Sequence, residues 1–304
     1  PPAEIALWAH DLRARTSIAL GLSDAARSAI ARMRETPGGR ALSLVREGEL
    51  LEGLDADPRE AGDRFLEAHR LDDSLVEARL GMARCYGKMN RHGERMALLE
   101  ETLAERPDDV RFLLALGRCH LDRNDAKAAL EPLRTALEID DLNSPVRHTL
   151  AKAYKNLGDD LKAAEQLNTM LYRIHVARPY PDKVDLHREL AEMYLRLDQP
   201  RLALTEYARA YNALSYTDFS SRRKEVTRRL AALNLALGDP TEAAKLLDGH
   251  VKLFSQDVEA RRMLARALRE TGRRDEALTQ YRRVLEIDPK DDRAREALEA
   301  AGAL

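Results

Sequence analysis

The chain is short of aromatic residues, of cysteine, of long apolar runs and of any charge excess, and each shortage removes a class of protein. Aromatics are 5% of 304 residues, with a single Trp. Together with few β-branched runs, that argues against a globular α/β enzyme. The two cysteines give no sign of an oxidising compartment. No apolar stretch approaches the roughly 20 residues of a membrane span. A formal net charge of −2 predicts no bulk attraction to nucleic acid or to an anionic membrane. The strings of catalysis are missing as well: there is no Gly-rich phosphate loop, no His-Glu-x-x-His, no paired Cys-x-x-Cys and no nucleophile elbow. The histidines His10, His69, His92, His120, His148, His175, His187 and His250 never fall three or four apart, as helical metal ligands do. No catalytic residue, metal or cofactor is expected, and the chain reads as soluble.

What the chain does have is a period of 34 residues. In the last copy Ala265 is followed by Ala277, Tyr281 and Pro289. One step back stand Ala231, Ala243 and Leu247, then, after six extra residues, Ala191, Ala203, Tyr207 and Ala210. Six more lead to Ala151, Tyr154, Gly158, Ala163 and Leu167, and unbroken steps give Gly117 with Leu133, Ala83 with Leu99, and a worn copy with Ala61, Phe65 and Ala68. Seven copies cover Leu42 to Asp291. Each unit is a helix pair too small to bury its own apolar stripe, so stacking must supply the core. The small residues Gly117, Ala151, Ala191, Ala231 and Ala265 let paired helices approach, with the Ala twelve residues on as the expected contact. Cys85 and Cys119 share one slot of consecutive units, about 10 Å apart and beyond the ~7 Å of a bridge, and read as small core residues.

Pattern and spacing resemble the tetratricopeptide repeat family over about four-fifths of the chain. The family's Trp in the first helix is replaced here by residues such as Arg79, Leu113, Arg147, Thr227 and Arg261. The resemblance implies an all-α solenoid, a right-handed superhelix of stacked antiparallel helix pairs, and a role in binding other proteins.

Three domains are expected: residues 1–41 as a degenerate capping pair, 42–291 as the seven repeats, and 292–304 as a C-terminal capping helix. The first part reads as helices over Ala3 to Leu20 and Ser23 to Glu35, with Ser23 as N-cap and Trp8 packed inside the lid. Thr36-Pro37-Gly38-Gly39 breaks the helix. Asp291 and Asp292 are expected to cap a last helix carrying Ala294, Leu298 and Ala301. Insertions near 176–183 and 215–223 hold Tyr180, Tyr216 and Phe219, candidate contacts because binding residues often sit on loops of a rigid scaffold. The chain begins at Pro1 rather than Met, which leaves an upstream leader or anchor, and hence the compartment, open.

In the family the first helix of each pair lines the concave surface, with ligand contacts from its second, fifth, ninth and twelfth residues. The last three slots give Arg46, Arg84, Arg118, His148, Lys152, Lys155, Arg188, Arg228, Arg262, Arg266 and Arg269, opposed only by Glu192. A basic groove is expected, suited to an acidic peptide or another anionic polymer, because a guanidinium grips carboxylates bidentately. Some bases also have an acid three residues back: Asp185 before Arg188, Glu225 before Arg228 and Glu259 before Arg262. No Asn fills these slots, which disfavours the family's clamp for chaperone tails. A nucleic-acid role lacks stacking aromatics. The expected function is a non-catalytic interaction scaffold within a larger bacterial assembly. The alternative is the repeat arm of an envelope polysaccharide export or secretion machine, or of an enzyme whose catalytic domain lies outside this chain. Self-association through the end repeats stays open.

Overall fold

The computed structural model describes residues 2–173, 182–215 and 220–303. Among these residues there are seventeen α-helices and no strand. Internal packing divides the chain into two compact units, Pro1–Ala153 and Tyr154–Leu304. The first contains α1 (Ala3–Ala19), α2 (Ser23–Glu35), α3 (Arg40–Gly53), α4 (Pro58–Leu71), α5 (Val76–Lys88), α6 (His92–Glu105), α7 (Val110–Asp122), α8 (Ala126–Ile139) and most of α9 (Ser144–Asn156). The second contains α10 (Asp160–Tyr172), α11 (Lys183–Arg196), α12 (Pro200–Ala213), α13 (Ser221–Ala236), α14 (Pro240–Leu253), α15 (Val258–Glu270), α16 (Arg274–Ile287) and α17 (Asp292–Glu299). Helices from α1 to α8 and from α10 to α17 pack on their sequence neighbours within each unit, and first helices also touch one another, α3 on α5 and α5 on α7 in one unit and α13 on α15 in the other. This is the all-α solenoid class.

One turn recurs at the end of every first helix. Two residues past α3, α5, α7, α9, α11, α13 and α15 stand Asp55, Asn90, Asn124, Gly158, Asp198, Gly238 and Gly272, all at positive φ. Gly, Asn and Asp are the residues that reach the left-handed region most cheaply. The next amide then bonds back to a carbonyl inside the helix, as Arg91 N–H does to Tyr86 at 2.8 Å and Asp239 N–H to Asn234 at 2.8 Å. Gly21 makes the same turn after α1, with Leu22 N–H on Ser17 O at 2.8 Å. Aspartates then start the helices: Asp57, Asp125, Asp159 and Asp239 accept from amides opening α4, α8, α10 and α14, and Asp109, Asp182, Asp257 and Asp291 do so for α7, α11, α15 and α17. Each such cap is worth roughly 1 kcal/mol.

Small residues set how near the paired helices come. The Phe65 ring is fully buried against Gly48 of α3 and Gly81 of α5, and a Cβ on Gly48 would stand 2.7 Å from that ring. On α7 a Cβ at Gly117 would stand 2.6 Å from the Leu133 side chain of α8. Cys85 and Cys119 are buried free thiols.

The chain ends differ from expectation in three places. Ser23 is the first residue of α2 and makes no capping bond; Leu22 holds the cap position. α17 stops at Glu299, so Ala301 lies beyond it, although Asp291 caps the helix through Ala294 N–H at 2.9 Å. Trp8 is not packed in the lid but is 66% exposed, because α1 turns Ala14 and Ser17 inward instead.

Candidate functional site

The candidate stripe is best followed unit by unit. In the first unit Arg46 is only 4% exposed; Nε meets Asp11 Oδ1 at 2.6 Å and Nη1 meets Glu49 Oε2 at 2.8 Å. It is a buried, satisfied cation. Arg84 is half exposed but bonded to Glu52 of α3 at 2.7 Å. Burial pulls its pKa down, yet the Glu52 carboxylate outweighs this and holds it above the ordinary value. His148 is buried. Arg118 and Lys152 are exposed, and among the described residues no acid pairs with either. The cause lies in the neighbouring helices: Glu52 stands 34 residues before Tyr86 and 68 before His120, so α5 and α7 carry Tyr and His where α3 carries its carboxylate.

In the second unit the bases form a ladder from one first helix to the next. Arg188 Nη1 reaches Glu225 at 2.7 Å, Arg228 Nη1 reaches Glu259 at 2.6 Å, and Arg262 Nη1 reaches Asp291 at 3.2 Å. Of the three pairs expected within a helix, Asp185 with Arg188 is present at 3.5 Å as a secondary contact. Arg228 and Arg262 instead use the following repeat. Long Arg side chains span that step while keeping good bond geometry. Lys155 lies 3.8 Å from Glu192, and Arg266 bonds Glu270 four residues on at 2.7 Å. Arg269 is exposed, with no described acid at ion-pair distance. Tyr180, Tyr216 and Phe219 lie outside the described residues.

Within each unit, then, most of these arginines are already occupied by carboxylates, while Arg118, Lys152 and Arg269 have no acid partner among the described residues. The sequence pattern located the bases but missed the between-repeat pairing. The signal was present: the acids at slot two recur one repeat after the arginines at slot five, as Glu225 and Glu259 do.

Two buried acid–base clusters were not anticipated. Glu206 on α12 is 4% exposed and accepts from Tyr172 Oη at 3.0 Å, His187 Nδ1 at 2.7 Å and Arg209 Nη1 at 2.5 Å. Burial raises its pKa, but bonds from His187 and Tyr172 and the charge of Arg209 bring the net shift below the usual carboxylate range. Asp257 is similarly enclosed, with His250 Nε2 at 2.9 Å. These are interior staples between helices, since their carboxylates are closed to solvent and already filled by donors. Among the described residues no cluster of three or more His, Cys, Asp or Glu is placed to hold a metal, and no helix is long and apolar enough to cross a membrane. A cleft of about 670 Å³ opens beside α4 and α5, floored by Met82, Cys85, Tyr86 and Met89. Gly62 leaves it open where the next copies carry Met96 and Leu130.

Comparisons with known proteins agree with this architecture. Family models described as tetratricopeptide repeat match residues 96–144 and 234–301. No curated protein matches the chain. Among solved structures, the C-terminal part of a TPR repeat-containing protein from Cytophaga hutchinsonii is 13% identical with a TM-score of 0.64, covering 84% of this chain and 99% of its own. YrrB, described as a TPR protein with an unusual peptide-binding site, is 19% identical with a TM-score of 0.53, over 66% of this chain and 97% of its own. A tetratricopeptide repeat protein from Parabacteroides merdae is 14% identical with a TM-score of 0.52, over 86% of this chain and 99% of its own. At these identities the structures share the fold alone. Tetratricopeptide-repeat models thus match a stretch of each unit, and the stacked helix pairs closed by one recurring turn have the solenoid fold of tetratricopeptide-repeat proteins.

Proposed function

We propose that the chain is a non-catalytic interaction scaffold that receives an acidic segment of a partner protein on the first-helix surface of its first unit. The observation that carries this reading is the pair Arg118 and Lys152. They occupy the same slot of consecutive repeats and are exposed, while their counterpart Arg84 is held by Glu52. An unpaired guanidinium and ammonium at successive steps offer two carboxylate sites on a surface formed before binding, so little ordering cost opposes association. The paired arginines of the second unit contribute little net attraction, because each already has its carboxylate. Arg269 is a further free cation there.

The test is binding of a fluorescent Glu-rich peptide, with heparin as a second anionic probe, to the full chain and to Arg118→Glu/Lys152→Glu. The proposal expects peptide affinity to fall about tenfold or more in the double variant, with a smaller salt dependence. Arg228→Glu should change it far less. Equal affinity for all three chains, or capture of heparin without the peptide, overturns the reading.

A further inference from the structure

Among the described residues nothing covers the outer face of α1. Ile5, Trp8 and Leu12 are 55%, 66% and 48% exposed, and their spacing places them on one stripe of the helix. Ala9, Thr16 and Ala19 beside them are exposed too, so the stripe runs most of the helix and narrows where another helix needs room. The Thr16 hydroxyl is occupied, donating to Leu12 O at 2.8 Å. α17 contrasts with α1, exposing the charged Asp292, Arg293, Glu296 and Glu299. An exposed indole and two large aliphatic side chains in a row mark a contact surface.

We propose that this stripe docks a second copy of the chain, α1 lying antiparallel on α1 about a two-fold axis. Charge selects both occupant and direction. Glu4 stands at one end of the stripe with no described base bonded to it, and Arg15 near the other end is 62% exposed and touches only Asp11 at 3.9 Å. About 16 Å of helix separates them, so they cannot meet within one copy. With Trp8 of one copy set against Leu12 of the other, an antiparallel arrangement brings each Glu4 beside Arg15 of the second copy. A parallel arrangement sets like charges together and aligns the helix dipoles unfavourably. The two-fold axis makes every contact twice, so one short helix suffices to supply two indoles and two ion pairs.

Because Trp8 is the only Trp, its emission reads the stripe directly. The test follows emission and sedimentation mass of the full chain over a concentration series, for wild type, Trp8→Ala, Leu12→Glu, Glu4→Arg, Arg15→Glu and the Glu4→Arg/Arg15→Glu double, each checked for helicity. The proposal expects the wild-type mass to double as emission moves to shorter wavelength. Trp8→Ala and Leu12→Glu should weaken dimerisation by about tenfold or more. Each single charge reversal should weaken it by about three- to tenfold, and the double reversal should restore it. A wild-type chain that stays monomeric, or that protects Trp8 only when another protein is added, overturns the proposal. So does a dimer indifferent to Trp8, Leu12 and the charge reversals.

Discussion

The Arg228 guanidinium and the Glu259 carboxylate meet at 2.6 Å across the step from one repeat to the next, while Glu225, three residues before Arg228 on the same helix, bonds Arg188 instead. A double-mutant cycle between Arg228 and Glu259 should therefore show coupling of about 0.2–1 kcal/mol, shrinking in high salt, as partly exposed pairs do. The cycle between Arg228 and Glu225 should show almost none. Urea unfolding of the four chains in each cycle measures both, and the reverse ranking would return the pairs to single helices.

Phe65 fills a socket made by the missing side chains of Gly48 and Gly81. Gly81→Ala should cost about 1–3 kcal/mol, since the ring is held on both sides and cannot step aside. Phe65→Ala should cost about 3–5 kcal/mol. Denaturant midpoints check both, and a neutral Gly81→Ala would show that the ring has room to move.

Acid should loosen the second unit. Burial acts to raise the pKa of Glu206 and of Asp257, but it is outweighed: by His187, Tyr172 and Arg209 at the first, and by His250, the Ala260 amide and Arg228 at the second. Both carboxyls therefore titrate below their unfolded values. Their stabilisation is complete above about pH 5, beyond the unfolded values, and is lost as pH falls through the depressed folded values. Unfolding free energies between pH 2 and pH 7 should decline at the acid end, and Glu206→Gln should flatten that decline while lowering stability at pH 7 by about 3 kcal/mol. A parent chain equally stable at both ends of the range would contradict the assignment.

The Tyr207 hydroxyl is buried without a hydrogen-bond partner among the described residues, and burial pushes its pKa up to about 12. Removing it relieves a desolvated polar group, so Tyr207→Phe should be neutral or stabilising by up to about 1 kcal/mol. Thermal melting of the two chains decides; a clear loss of stability would mean the hydroxyl is satisfied in solution.

The repeating units were legible because a 34-residue period repeats the same steric demands: small residues where helices cross, and Gly, Asn or Asp where the chain turns back. Ala231 and Gly238 illustrate both. The site was less legible, for a physical reason. A slot rule says that Arg84 and Arg118 face the same surface, but their availability depends on whether the preceding first helix carries Glu52 or Tyr86 beside them. That is a contact between repeats, and spacing within one helix does not reveal it. Trp8 was misread because a large apolar side chain near a chain end is ordinarily core; on α1 the inward positions went to Ala14 and Ser17.

Cys85 and Cys119 are both enclosed in the same unit, and burial pushes the Cys85 thiol up to about 11. A protonated, enclosed sulfur does not react with alkylating reagents until its surroundings open. Labelling kinetics on the unmodified chain are therefore a clock for opening of residues 1–153, silent about the other half, and two sulfurs in neighbouring repeats report whether that half opens together or one repeat at a time.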